Sequence, residues 1–170
     1  MIKFMVIGFP RSATTWAANW LTTDKTLCIH DPLYRSLPEN WDAELGGPGR
    51  GVSCTGIWRW PEWVNRHPAK KLILHRDFHE VQDSLEQLGL PTLDPRHESD
   101  LDLLSGRHVN YQDLFDPKAA QRIWDYLMWG IPWNPDRHRE LVQMDIQPMF
   151  GSVGVDQDVQ EDLASRLRGF

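Results

Sequence analysis

The strongest constraint on this chain lies near its start, where a short apolar run is followed at once by a tight loop and a helical pattern. The run Lys3–Phe9 is almost continuously apolar, which predicts a strand buried on both faces. From Ala13 onward, apolar residues recur at helical spacing as far as Leu21. A strand, a loop and a helix within about 20 residues are typical of the first unit of an α/β fold.

The same alternation continues along the chain and predicts one α/β domain. A length of 170 residues fits a single domain, since domains commonly hold about 100–200 residues. Further strands are predicted over Thr26–His30, Val52–Ile57, Lys71–His75 and His108–Tyr111. Helices are predicted over Pro61–Arg66, after His75 with Val81, Leu85 and Leu88 on one face, from Asp116 to near Gly130, from near Pro135, and over Asp156–Arg168. The turn-forming stretch Pro38–Gly51 predicts a flexible surface loop.

Strands separated by helices predict a parallel sheet that is covered by helices on both faces. Sheets of this kind bind ligands beyond the carboxyl ends of their strands. We therefore expect the functional residues to come directly after Phe9, His30, Ile57 and His75.

The loop Gly8–Thr15 lies between the first strand and the first helix, which is the setting of a phosphate-binding loop. It keeps Gly8 and Thr15 of the Walker A pattern GxxxxGK[ST]. Ala13 replaces the second glycine, and Thr14 replaces the lysine that reaches the β- and γ-phosphates. The cation lies earlier, at Arg11, whose guanidinium can pair with two oxyanions of a bound group.

Composition narrows the function classes. There are 18 Lys and Arg against 24 Asp and Glu, so the net charge of −6 argues against a nucleic-acid partner. Cys28 and Cys54 are too few for a disulfide-rich secreted fold, which favours a cytoplasmic location. No apolar run approaches the ~18 residues of a membrane span, and the start of the chain lacks the plan of a signal peptide. We therefore expect no membrane association, and the pattern leaves the oligomeric state open.

The stretch Pro10–Trp16 reads PRSATTW and resembles the 5′-phosphosulfate loop of the PAPS-dependent sulfotransferases, P-[KR]-S-G-T-T-W, at six of seven positions. The resemblance implies a sulfotransferase-like form of the P-loop fold, with PAPS as sulfuryl donor and PAP as product. It implies that the 5′-phosphosulfate is bound by Arg11, Ser12, Ala13, Thr14 and Thr15. By the same resemblance, Arg11 stabilises charge at the bridging oxygen and Trp16 lies beside the adenine. Ala13 stands where the family has glycine, and its Cβ is strained if that position needs a positive φ.

A second motif of the same family follows the predicted strand that ends at His75. The family pattern RxPxxxxxS holds the 3′-phosphate, and Arg76 and Ser84 stand at its spacing, with Phe78 in place of the proline. Further along, the tetrapeptide YQDL that begins at Tyr111 resembles the family's Y-E-D-L. The resemblance implies that Tyr111 contributes to the nucleotide pocket.

Sulfuryl transfer needs a base that removes the proton of the acceptor. The family's cytosolic branch has this base in a K-T-H motif, but the matching stretch here has Gly56 at the histidine position. Another branch has a carboxylate after its second strand, where this chain has His30 and Asp31. We therefore expect His30 or Asp31 to be the base, with Glu39 as a weaker third choice.

Two other groups have both a structural and a functional interpretation. His75 and His79 are four residues apart, but they span a strand end and a helix start and lack an obvious third ligand, so we expect no metal. Trp58, Trp60 and Trp63 are either packing residues or an aromatic wall for the acceptor.

Three functions remain open at this point. The leading one is a sulfotransferase that acts on a hydroxyl or amine of a small molecule, or of an exposed group on a larger one. A P-loop kinase for a small metabolite or nucleoside would need Mg²⁺ and would normally have a lysine at Thr14. The third is a nucleotide-binding module without catalysis.

Overall fold

Five parallel strands form a single sheet, in the order β2-β3-β1-β4-β5. The computed structural model describes residues 3–32, 40–44, 46–47 and 49–144. The strands are β1 (Phe4–Gly8), β2 (Leu27–His30), β3 (Arg50–Cys54), β4 (Lys70–His75) and β5 (Arg107–Asn110). The α/β fold with an all-parallel sheet is therefore confirmed.

Six α-helices connect or follow these strands in the part of the chain just named. They are α1 (Thr14–Trp20), α2 (Trp41–Glu44), α3 (Pro61–Arg66), α4 (Phe78–Gln87), α5 (Pro117–Leu127) and α6 (Pro135–Gln143). Asp116 caps α5 by accepting a hydrogen bond from the backbone of Ala119, as its position before a proline predicts. The helix expected over Asp156–Arg168 lies outside the described residues.

Helices pack on both faces of the sheet because successive residues of each strand point in opposite directions. Phe4 and Val6 of β1 face a core that includes α1 and α5. Met5 and Ile7 face the opposite core, which includes α3 and α4. All five residues of β1 are buried, as its unbroken apolar run predicts.

Two expectations from the sequence are wrong in detail. The third strand ends at Cys54, because Ile57 begins a short 3₁₀ helix after Gly56. The stretch Pro38–Gly51 is not a loop throughout, since it contains α2 and the start of β3. The α2 residue Trp41 is buried, and its ring packs edge-on against Trp60 and Trp63 at centroid distances of 5.1 and 5.0 Å. These aromatic contacts come from distant parts of the chain, so the turn-forming composition does not reveal them.

The strand order places a crevice at the carboxyl end of β1. This strand pairs with β3 on one side and with β4 on the other. The chain runs from β1 through β2 and β3 on one side and then crosses to β4 on the other. Ligands of open parallel sheets bind at such a point. Among the helices that the structure describes, none is both long and apolar enough to cross a membrane.

Candidate functional site

The loop after β1 has an unusual backbone. Arg11 and Ala13 have φ angles of 67° and 61°, in the left-handed region that residues with a side chain seldom adopt. Residues in this region next to right-handed ones turn successive N–H groups toward one point and form an anion-binding concavity. The strain is therefore placed where an anion would be bound, and Ala13 adopts the positive φ that a glycine would adopt more easily.

Ser12 lies between these two residues and is fully buried. Its hydroxyl has no hydrogen-bond partner among the residues that the structure describes. Buried hydroxyls are nearly always hydrogen-bonded, so an orphaned one in this loop calls for a partner that the protein does not itself supply. An anionic oxygen would satisfy it.

The two predicted phosphate-binding motifs lie against each other. Arg11 donates from Nε to the hydroxyl of Ser84 at 3.0 Å, although 73 residues separate them. Ser84 belongs to α4, two turns after its start. Arg76 follows β4 directly and donates from its guanidinium to the backbone carbonyl of Arg11. Both arginines and Ser84 are therefore at one edge of the sheet, as their positions after β1 and β4 require.

Arg76 is held by two further groups. Its Nε donates to a carboxylate oxygen of Glu80 at 3.1 Å, and its guanidinium lies over the ring of Tyr111 at 4.9 Å from the centroid. The Tyr111 ring restricts the guanidinium on one side. Glu80 neutralises part of its charge and would compete with a bound phosphate. Tyr111 is thus next to the predicted 3′-phosphate residues.

His30 and Asp31 stand at the end of β2 and face the loop. The His30 Nε2 atom lies 3.2 Å from the hydroxyl oxygens of both Thr14 and Thr15, and 3.3 Å from Asp31 Oδ2. The His30 side chain is about one-third exposed, at 32%, and that of Asp31 is mostly buried. Both threonines of the loop, Thr14 and Thr15, therefore contact His30, one of the two residues expected to be the base.

Asp31 is fixed by Thr55, which directly follows β3. The backbone N–H of Thr55 donates to Oδ1 at 2.7 Å, and its hydroxyl donates to Oδ2 at 2.9 Å. Burial raises the pKa of Asp31 above 3.8, while the charge of His30 and the hydrogen bonds from Thr55 act in the opposite direction. The Asp31 carboxylate, which accepts a hydrogen bond from Thr55 at each oxygen, is thus fixed in place and orients His30 through the contact between Oδ2 and Nε2.

The start of α1 is also anchored from outside the loop. The hydroxyl of Ser53 in β3 donates to the backbone carbonyl of Thr14 at 2.7 Å. The indole of Trp16 donates to the carbonyl of Leu141 in α6 at 3.1 Å. At the other end of α1, the guanidinium of Arg137 donates to the carbonyls of Asn19, Trp20 and Thr22, at 2.7 to 2.8 Å. α1 has only seven residues, so these contacts and its burial hold it in place.

A cavity of about 190 Å³ lies at this edge of the sheet. Residues of the loop and of the first turn of α1 form one part of its wall, together with His30 and Thr55. The lining also includes the apolar residues Leu85, Leu88 and Leu90. The cavity therefore combines polar groups of the loop with apolar side chains from α4 and the residues after it.

The predicted site residues divide between the cavity and its surroundings. Those absent from the cavity lining are Ser12, Asp31, Arg76, Ser84 and Tyr111. Arg11, Ala13, Thr14, Thr15, Trp16 and His30 line the cavity. Trp16 is buried and packs edge-on against Phe115. Trp58 lies in the core against Phe9, and none of the three tryptophans of residues 58–63 is among the cavity's lining residues. Glu39 lies outside the described residues.

Two residues that support the site were not identified from the sequence, Thr55, which fixes Asp31, and Ser53, which anchors the start of α1. Thr55 could have been found from its position directly after β3, the strand that lies beside β2. Ser53 was hidden in a strand of buried residues, where a hydroxyl must find a partner.

Comparison with known proteins agrees with this geometry at the level of the fold. No family model matches the chain, and no curated protein matches it in sequence. Among solved structures, it is similar to the crystal structure of mouse sulfotransferase SULT7A1 in complex with PAP, with a TM-score of 0.56 and 14% identity. The match covers 83% of this chain and 63% of the mouse chain. This likeness shows that the two chains share a sulfotransferase-like fold.

Proposed function

We propose that this protein is a sulfotransferase that moves a sulfuryl group from PAPS to a hydroxyl or amine. The acceptor is a small molecule or an exposed group on a larger one. The observation that carries the proposal is the meeting of Arg11, Ser84 and Arg76 at the loop after β1. These residues come from the two motifs that resemble the donor-binding motifs of the family.

The loop fits an anionic group on its own evidence. It carries two residues in the left-handed region, as anion-binding loops do, and the hydroxyl of Ser12 is buried without a partner among the described residues. Arg11 adds a fixed positive charge beside it. Together these groups would hold the 5′-phosphosulfate, while Arg76 and Ser84 would hold the 3′-phosphate.

When bound, PAPS supplies an activated sulfuryl group, which becomes bonded to the acceptor atom as PAP leaves. Catalysis then depends on positioning and on neutralising charge, because sulfuryl transfer resembles phosphoryl transfer. Arg11 neutralises charge at the loop, and the hydroxyls of Thr14 and Thr15 point their oxygens toward His30. Leu85 and Leu88 add apolar surface to the cavity, against which the apolar part of an acceptor would pack.

We assign the base to His30 and a positioning role to Asp31. Asp31 Oδ2 lies 3.3 Å from His30 Nε2 and is itself fixed by Thr55, so the carboxylate holds the imidazole beside the loop. His30 would take the proton of an acceptor bound there, and Asp31 would stabilise the imidazolium that forms. We expect His30→Gln to lower turnover while leaving PAP affinity unchanged.

The decisive experiment compares PAP with 5′-AMP, which lacks the 3′-phosphate. Calorimetric titration without metal should show that the wild-type protein binds PAP more tightly than 5′-AMP. Arg76→Ala should lower PAP affinity by about tenfold or more, since a charge-assisted hydrogen bond contributes about 1.5–3 kcal/mol. It should lower 5′-AMP affinity by less, because there Arg76 acts only through its hydrogen bond to the Arg11 carbonyl. Arg139→Ala is the matched control, because Arg139 is an exposed arginine that pairs only with Asp136 in the described contacts.

A second comparison tests the catalytic cation. Arg11→Ala should abolish PAP release from PAPS in the presence of a panel of phenols, alcohols and amines, whereas Arg11→Lys should retain it, because the family accepts either cation at this position. Binding of ATP with Mg²⁺ but not of PAP would favour a kinase instead. PAP binding without turnover in any variant would leave only the non-catalytic nucleotide-binding function.

A further inference from the structure

A second cluster of chemically reactive side chains lies on β4 and β5, away from the cavity. His75 ends β4, and His108 is in β5. Ile73 pairs with His108 in the parallel register, so His75, two residues later, lies on the same face as His108. Asp102 approaches this face from a 3₁₀ helix, Asp100–Leu103.

We propose that His75, His108 and Asp102 form a binding site for a divalent first-row transition-metal cation such as Zn²⁺. Their ligand atoms all lie within 4.8 Å of one another. His75 Nε2 is 2.8 Å from His108 Nδ1, and His75 Nδ1 is 4.0 Å from an oxygen of Asp102. Two imidazoles and a carboxylate are a ligand set that borderline cations of this kind prefer.

The hydrogen bonds of His108 select the tautomer that a metal requires. Its Nε2 donates to the backbone carbonyl of Leu104 at 2.8 Å, so the proton lies on Nε2 and the lone pair lies on Nδ1. Histidine ligands of metals usually donate their other ring N–H to a carbonyl or carboxylate in this way. The lone pair of Nδ1 faces His75 Nε2. A cation bound to both nitrogens, off the line that joins them, would displace the Nε2 proton of His75, which moves to Nδ1.

The positions of the ligands are set by the core. Leu101 and Leu104 are buried and anchor the 3₁₀ helix that carries Asp102. Two nitrogens about 2.05 Å from one metal are about 2.9 Å apart at a right angle and about 3.3 Å apart at a tetrahedral angle. The observed separation of 2.8 Å therefore admits a cation after a shift of about half an ångström at most.

The charges of the three groups also suit a cation. Two neutral imidazoles and one carboxylate together carry one negative charge, and three protein ligands leave a coordination position for water.

The contrast with His79 provides a control. The sequence pairs His75 with His79, but His79 is exposed on α4 and is not part of the cluster. His97 forms a hydrogen-bonded pair with Asp100 in the same region and controls for simple histidine–carboxylate pairs. Neither His79 nor His97 should contribute to the proposed site.

The test is calorimetric titration of tag-free, chelator-treated protein with ZnCl₂, together with the visible absorption of bound Co²⁺. The wild-type protein should bind one Zn²⁺ at this site. His108→Gln and Asp102→Asn should each weaken the binding by at least about tenfold, whereas His79→Gln and His97→Gln should leave it unchanged. The Co²⁺ spectrum should change in the first two variants alone.

Asp102→Asn keeps the test valid if His108→Gln fails to fold, because the Asp102 side chain is 70% exposed and the substitution is isosteric. The proposal is overturned if the wild-type protein shows no saturable binding up to about 1 mM Zn²⁺. It is equally overturned if Asp102→Asn binds like the wild type, or if either control variant loses as much affinity as His108→Gln. Binding of Zn²⁺ does not depend on PAP or PAPS, so failure here leaves the sulfotransferase proposal intact.

Discussion

Replacing Ala13 by glycine tests the strained loop directly. Ala13 has φ 61° and ψ 22° and is buried. An alanine in this conformation costs about 1–2 kcal/mol relative to the right-handed region, and glycine removes that cost. Against this, Ala13→Gly loses about 0.8 kcal/mol from the buried methyl group and about 0.4–1 kcal/mol from the greater entropy of the unfolded chain. These effects nearly cancel, so we expect the free energy of unfolding to change by no more than about 0.8 kcal/mol.

Ala18 provides the matched control because it is equally buried but lies inside α1. There glycine costs about 1 kcal/mol in helix propensity and about 0.8 kcal/mol in lost burial. Ala18→Gly should therefore destabilise the protein by about 2 kcal/mol, which lowers Tm by about 4–8 °C for a domain of this size.

Urea unfolding followed by tryptophan fluorescence measures both variants against the wild type. Equal destabilisation by the two substitutions would show that Ala13 is not strained, and the argument for an anion-binding loop would lose its backbone evidence. A difference of about 2 kcal/mol between them would support it.

Three other substitutions or reagents test separate parts of the structure. Because the pKa of Asp31 is raised in the folded protein, the stability that this group contributes is fully present below pH 3.8 and is lost as the pH rises through the raised value. The free energy of unfolding of Asp31→Asn, relative to that of the wild type, should therefore increase with pH above about 4 in urea titrations. A difference that stays constant with pH would contradict this. A Cβ on Gly51 would lie 2.1 Å from the buried ring of Phe4, so Gly51→Ala should cost about 1–3 kcal/mol in the same assay, and a neutral effect would show that the ring can move. Burial raises the pKa of the Cys28 and Cys54 thiols, so a thiol reagent at pH 8 should react only after unfolding; rapid reaction of the native protein would contradict their burial.

The sequence predicts the sheet well because buried parallel strands are nearly continuous apolar runs. It also predicts which residues reach the ligand edge, since Arg11, His30 and Arg76 each lie directly beyond or near a strand end. It does not predict that Thr55 holds Asp31. That contact depends on β2 lying beside β3 with His30 opposite Ser53, and strand order is set by packing between distant segments.

The same limit explains the errors at Ile57 and Trp41. Ile57 is apolar in either a strand or a turn, so only its core contacts distinguish the two. Trp41 lies among turn-forming residues, and its helix is stabilised by rings of the segment around α3. His108 has no sequence signal that connects it with His75, because the pairing arises from the β4–β5 register.

The hydrogen bonds that Arg137 and Leu141 form with α1 have a consequence for folding during translation. A nascent chain that has emerged only as far as α5 already holds every described strand and the whole phosphate loop, yet the last carbonyls of α1 lack their guanidinium donor. The helix α1 therefore reaches its final support only after α6, the last described helix, has left the ribosome. Premature termination before α6 should yield a chain that holds all five described strands but in which α1 lacks its contacts with α6.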